Sequence, residues 1–236
     1  MLRALAVAHQ DPTLEELSII SSVPDIDQLK RLVDRCKPLI EKRRDNSHVE
    51  SVAFVSNLVK GHLISNIGQL LRLSRSSSDL EGRDADVQQL HGELAWRCFE
   101  YWEQVRMAQL DVPDDDSAFT KSNNGLVKDQ TTATCLYPQR YWLAHAMCAD
   151  ADLAEDLVCN LKDFWEPRSR KRLAWLSWYR DHEATLQGVP QTALQGLTID
   201  GMTALHLAAA FGYQYLVDSL IRHGHQAEIN AATNDH

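Results

Sequence analysis

At 236 residues, 44% hydrophobic and 24% charged, the chain can bury one large domain or two small ones and has the make-up of an ordinary globular protein. Its 24 basic against 33 acidic residues leave a formal charge of −9, which works against bulk attraction to nucleic acid or an anionic membrane. No apolar run approaches the ~20 residues that a membrane-spanning helix needs, and the opening MLRALAVAHQD is too short in apolar residues for a secretory leader.

Residues 2–9 (LRALAVAH) are dense in helix formers. DPTLEEL then supplies a helix start, because Thr13 can cap while Glu16 reaches back three residues in a capping box. A third helix is expected from Pro24–Asp25, with Ile26, Leu29, Leu32 and Val33 on one face and Pro38 after its end. There the period changes to two: LIEK, a polar turn RRDNSH, then VESVAFV, read as two short strands. A fourth helix follows in FVSNLVKGHLISNIGQLLRL, with apolar residues at 55, 58, 59 and 63. Three helices and a hairpin are in winged-helix order, which gives a winged-helix-like domain over residues 1–73.

SRSSSDLEGRDAD (74–86) cannot build a core and reads as a linker. A helical connector is expected over 87–180: the aromatic-rich LHGELAWRCFEYWEQV, a loop at 111–125, CLYPQRYWLAHAM, and ADLAEDLVCNLKDFW. In the last, Leu153, Leu157 and Leu161 recur at i+4, and Phe164 and Trp165 close one amphipathic stripe.

A Gly/Pro-containing approach leads to GMTALHLAAAFGY (201–213), which looks like the first half of an ankyrin repeat. Thr203 is placed to cap its first helix, with Leu205, Ala208 and Ala209 as the apolar face. Gly212 and Gly224 fall where each helix must end in a left-handed residue. Leu216, Val217, Leu220 and Ile221 form the stripe of the second helix, and Asn230–Ala231 and Asn234–Asp235 resemble the opening of another turn. The departures are Ala204, where the family usually has proline, and a longer turn at His225–Ala227. In ankyrin proteins partners touch the turn tips and the first-helix surface, which here implies Met202, Ala210 and Phe211 as exposed protein-binding residues. The ankyrin region is taken as 197–236, a repeat and the start of a second. One repeat cannot bury its own apolar face, so the stack is expected to continue beyond a truncated or partial chain, leaving an adhesive edge at 226–236.

Together these segments resemble the region after the NTPase core in fungal NACHT–ankyrin receptors of the STAND class. The resemblance rests on MLRALAVAHQDPTLEEL, LKRLVDRCKPLIEKR and VAFVSNLVKGHL for the winged helix, and on LHGELAWRCFEYW and CLYPQRYWLAHAM for the connector. It implies a regulatory, signalling segment that relays between a nucleotide switch, in intramolecular contact with it, and a ligand-sensing repeat array. No GxxxxGK[ST] loop is present. Where family members carry His-Gln-Ser after the second wing strand, this chain has Ser56-Asn57-Leu58, and a serine cannot supply a cationic ring to read phosphates.

Catalytic motifs are missing: there is no GxSxG elbow and no HExxH. No catalytic residue, cofactor or metal is therefore assigned. His145 and Cys148 have a metal-ligand spacing, but without a second pair nearby in sequence they read as a packed helix surface. His223 and His225 suit a helix C-terminus. The five cysteines (Cys36, Cys98, Cys135, Cys148, Cys159) form no CxxC, and four of them read as reduced core residues of a cytoplasmic protein. QLKRLVDRCKPLIEKRR (28–44) has seven basic and two acidic residues on what would be a recognition helix and wing. RSRKR (168–172) adds a second basic patch or import signal. The expected class is a mostly α, non-enzymatic interaction protein with no membrane contact and nucleic acid disfavoured. The alternatives are a short free-standing ankyrin adaptor, whose helices cap the lone repeat, or a winged-helix DNA-binding protein.

Overall fold

The computed structural model describes residues 1–44, 49–72, 83–110, 136–182 and 202–225. The capping box forms as the sequence predicts. After α1 (Leu2–Val7), the Thr13 hydroxyl accepts the Glu16 N–H at 3.2 Å and the Glu16 carboxylate accepts the Thr13 N–H at 2.9 Å, opening α2 (Leu14–Ser21). Asp25 caps α3 (Ile26–Arg35) through the N–H groups of Asp27 and Gln28. On α3 the buried pair is Leu29 and Val33, four apart, while Ile26 and Leu32 flank them half-buried.

Strands β1 (Ile40–Arg44) and β2 (Glu50–Phe54) pair antiparallel, Ile40 opposite Phe54 and Arg44 opposite Glu50. Arg43 and Arg44 belong to the strand rather than the turn. Cross-strand and neighbouring carboxylates hold them there: Arg44 with Glu50, and Arg43 with Glu41 and Asp11. The segment between α1 and α2 adds a third edge, since Thr13 bridges Ser51 and the Val52 N–H donates to the Pro12 carbonyl at 2.8 Å. The order is three helices, a hairpin and a fourth helix, as the sequence predicts.

Helix α4 (Asn57–Arg72) packs through Val59, Leu63 and Ile64. Leu58 and Val55, expected on that face, are 85% and 40% exposed, because the packed stripe runs through 59 and 63 and leaves its 58 flank outward. Helix α5 (Arg83–Leu110) starts four residues before the expected Val87 and takes the end of the expected linker into its first turn. Asp86 suits the positive end of the helix dipole there. The remaining linker, the loop at 111–125 and the 226–236 edge lie outside the described residues.

Helix α5 is the spine: it packs against α1, α2, α4 and α6 (Leu136–Met147). Arg97 on α5 donates to the Ile20 carbonyl at 2.8 Å and so closes the end of α2. The predicted single stripe from 153 to 165 is broken into α7 (Ala151–Asn160) and α8 (Lys162–Trp165), with Leu161 as the joint. Phe164 and Trp165, both on α8, are each 1% exposed, and the Trp165 indole N–H reaches back across the joint to the Leu157 carbonyl at 2.9 Å. Helix α9 (Arg170–His182) adds Trp175, Leu176 and Tyr179 to the core. The centre is aromatic: Trp142 and Phe164 meet edge-on at 5.5 Å, and Trp142 and Trp175 at 5.4 Å.

The last helices, α10 (Ala204–Ala210) and α11 (Gln214–Arg222), form a pair joined at Gly212, whose φ of +69° favours glycine. The core is continuous from Ala4 to Leu220. The chain is thus mostly helical with one small antiparallel hairpin and an ankyrin-like pair at its carboxyl end.

Candidate functional site

Helix α10 is opened by Thr203, whose hydroxyl accepts the His206 N–H at 3.3 Å while the His206 ring accepts the Thr203 N–H at 3.2 Å. Its buried face is Leu205, Leu207 and Ala208, whereas Ala209, expected in that face, is exposed. Leu216 and Leu220 of α11 are fully buried, with Val217 and Ile221 packed beside them, and Gly224 takes φ +98° as a left-handed helix stop.

This pair does not stand alone. Helix α11 packs on α7, and Phe211 sits 5.4 Å from the Tyr179 ring and 6.0 Å from that of Trp175 on α9. A polar clamp borders the contact. Ser219, fully buried, donates to one Glu155 carboxylate oxygen at 2.8 Å, which Arg222 also meets at 2.8 Å; His223 pairs with the other oxygen. The His223 hydrogen bond, ahead of that of Ser219, pulls the Glu155 carboxyl down to about 2. His223 therefore serves a cross-element ion pair as well as the helix end where the sequence placed it.

Of the three residues expected to face a partner, Met202 and Phe211 are each 3% exposed, so both are corrected to intramolecular core. Phe211 packs in the seam with α9. Ala210 remains half-buried at the end of α10, beside exposed Ala209.

That geometry, a helix pair with a capping Thr and two left-handed glycines, meets the comparison with known families: residues 200–234 match the ankyrin repeat. Residues 200–234 are an ankyrin repeat. No curated protein and no solved structure matches the chain. Ankyrin repeats are non-catalytic interaction modules, and this one points to protein partners.

The basic segments look different in three dimensions. In 28–44, Lys30, Lys37, Lys42, Arg43 and Arg44 pair with Asp27, Asp34, Glu50, Glu41 and Glu50 respectively. Neighbouring carboxylates thus neutralise much of the expected recognition face. In RSRKR, Arg172 is fully buried and donates to the carbonyls of Phe164 at 2.6 Å and Glu166 at 2.9 Å, while Lys171 pairs with Glu103 and Asp163. Arg172 is thus an internal brace, while Arg168 and Arg170 stay exposed. Ser56 accepts the Val59 N–H at 3.3 Å and starts α4.

Of the four cysteines in the described residues only Cys98 is fully in the core; Cys36 is half-buried and Cys148 and Cys159 are exposed. Sequence reading also left His145–Cys148 without a second pair. The fold supplies one from afar: His9, just after α1, and His91 on α5 converge on them. Neither has a local motif that could have announced it. No helix among the described residues is long and apolar enough to cross a membrane.

Proposed function

We propose that this chain is a non-catalytic protein-interaction module. A winged-helix-like unit (1–73) and a helical connector (87–180) cap the entry side of an ankyrin stack (197–236) and leave the other side to a partner or to further repeats. The supporting observation is the seating of Phe211 against α9 and of α11 against α7, which buries the face that a lone repeat would expose. The finer role is that of a relay in a STAND-type receptor, from a nucleotide switch through the connector to the repeats. The winged-helix order of the first four helices and hairpin speaks for it, as does the exposed apolar set Leu39, Val55 and Leu58, which gives that unit a face for a switch core.

Proximity labelling with the full chain tests the interaction role. Ala209→Arg places a charged side chain on the exposed first-helix surface and should remove the partner borne by the repeat, while Leu58→Glu should keep it. Identical labelling with all three chains would overturn the reading.

A further inference from the structure

His9, His91 and His145 form a packed cluster where α1, α5 and α6 meet, with ring centroids 4.5–5.8 Å apart. Three imidazoles sharing one interior site need an explanation, because each must be accommodated neutral. Burial, then the charge of the neighbouring rings, keeps His91 down to about 4 and holds His145 well below its ordinary value; burial, then Lys60, lowers His9. Most of the polar atoms are paired. Tyr137 accepts the His9 backbone N–H at 3.1 Å, and its hydroxyl lies 2.8 Å from Nε2 of His145. Nδ1 of His145 lies 2.8 Å from Nδ1 of His91. One atom stands out: the buried Nε2 of His9 has no hydrogen-bond partner among the described residues. In the tautomer with its proton on Nδ1, His9 presents a bare lone pair at Nε2 inside the cluster.

A third potential ligand closes the group. One ligand atom from each of His9, His91 and Cys148 lies within 4.8 Å of the others. Tetrahedral zinc, with bonds of about 2.0–2.3 Å, places its ligand atoms roughly 3.3–3.8 Å apart. Shifts of about 1 Å close the triangle, and Cys148, exposed in the turn after α6, is free to make them. We propose that His9, His91 and Cys148 bind a zinc-class divalent cation, with a solvent water as fourth ligand. Cys148 loses its thiol proton to solvent as its Sγ–metal bond forms, and the two neutral imidazoles donate lone pairs, so nothing is oxidised or reduced. His145 and Tyr137 are positioning residues. They hold the His91 ring through Nδ1, as an outer acceptor does for a ligating histidine. Lys60, fixed on the Ala8 carbonyl at 3.0 Å, is the nearby cation that opposes binding, and the thiolate offsets it. The ion would fasten the exit of α1 to α5 and to the turn after α6, and so staple the winged-helix-like unit to the connector.

A second group, Glu155, Cys159 and His223, also lies within ligand distance. Its Glu155 and His223 already satisfy one another and Ser219 and Arg222, so it leaves no unpartnered atom comparable to the His9 nitrogen. It serves as the control. The experiment is a Co2+ titration of the reduced, metal-free full chain followed by its thiolate-to-cobalt charge-transfer band. One equivalent should develop the band, and Zn2+ should displace it. Cys148→Ser, at an exposed position, should abolish the band, while Cys159→Ser should leave it intact. Tyr137→Phe keeps the aromatic ring and should weaken Co2+ binding about tenfold. Absence of the band, its survival in Cys148→Ser or its loss in Cys159→Ser would each overturn the proposal.

Discussion

The carboxylate of Glu16 accepts the backbone N–H of Tyr137 at 2.7 Å, across 121 positions of sequence. Its other oxygen accepts the Thr13 N–H, so one buried side chain, 7% exposed, caps α2 and satisfies the open amino end of α6 together. Burial, the largest influence, raises its carboxyl from an ordinary value of 4.5 despite the two N–H bonds. Glu16→Ala strands both donors in the interior, and an unpaired buried donor costs about 1–3 kcal/mol. The expected loss in a denaturant titration is therefore about 2–4 kcal/mol. The pH dependence has a definite sign. A carboxyl whose folded value is raised holds its proton longer in the native state, so its contribution falls as pH rises from 4.5 through that raised value. Glu16→Gln should remove this slope, and a slope unchanged in Glu16→Gln would assign it elsewhere.

Phe211 links the repeat to α9, and truncating a buried Phe to Ala costs about 3–5 kcal/mol. Because the contact lies at a seam, the loss should appear locally. Hydrogen exchange in Phe211→Ala should accelerate over 202–225 while α1 to α3 keep their protection. Uniform acceleration over the whole chain would instead mean that repeat and helical region unfold as one unit.

What the sequence disclosed and what it concealed divide by range. The Thr13–Glu16 capping box, the Thr203 cap, the hairpin, Gly212 and Gly224 are legible because each is decided within a few residues by local chemistry. Thr13 and Glu16, three apart, announce a helix start; that Glu16 also reaches Tyr137 is written nowhere near either. The break at Leu161 is not legible because Leu153, Leu157 and Leu161 keep an unbroken i+4 spacing, and the contact across the joint, Trp165 to the Leu157 carbonyl, is tertiary in kind. Phe211 was legible as part of an ankyrin motif, but its burial depends on Trp175 and Tyr179, outside that motif. The cluster at His9, His91 and His145 is the extreme case, since its members become neighbours only through tertiary packing.

Glu155 gives the seam its own acid sensitivity. Its folded value is depressed to about 2, first by His223, then by Ser219, against an ordinary 4.5. A depressed carboxyl contributes stability fully present above its unfolded value and lost as pH falls through the folded one. Between pH 4.5 and 2 the repeat should therefore loosen from α7, seen as faster exchange at 214–222. Glu155→Gln should show that looser seam already at neutral pH and lose the acid dependence. If its exchange matched the unmodified chain at neutral pH, the clamp would not be holding the seam.

Arg172 decides between the two meanings of RSRKR. A surface import or phosphate-binding residue tolerates substitution at little cost to folding, generally within about 0.5 kcal/mol. A fully buried guanidinium bound to the carbonyls of Phe164 and Glu166 does not. Arg172→Ala removes both donors and leaves a void between α8 and α9, so the expected loss is about 3 kcal/mol or more. Arg172→Lys keeps the charge but loses the planar guanidinium whose Nη1 makes both bonds, and should fall between. Exposed Arg170, substituted by Ala, should be near neutral in the same thermal and denaturant melts. Equal, small effects at 170 and 172 would return the cluster to the surface.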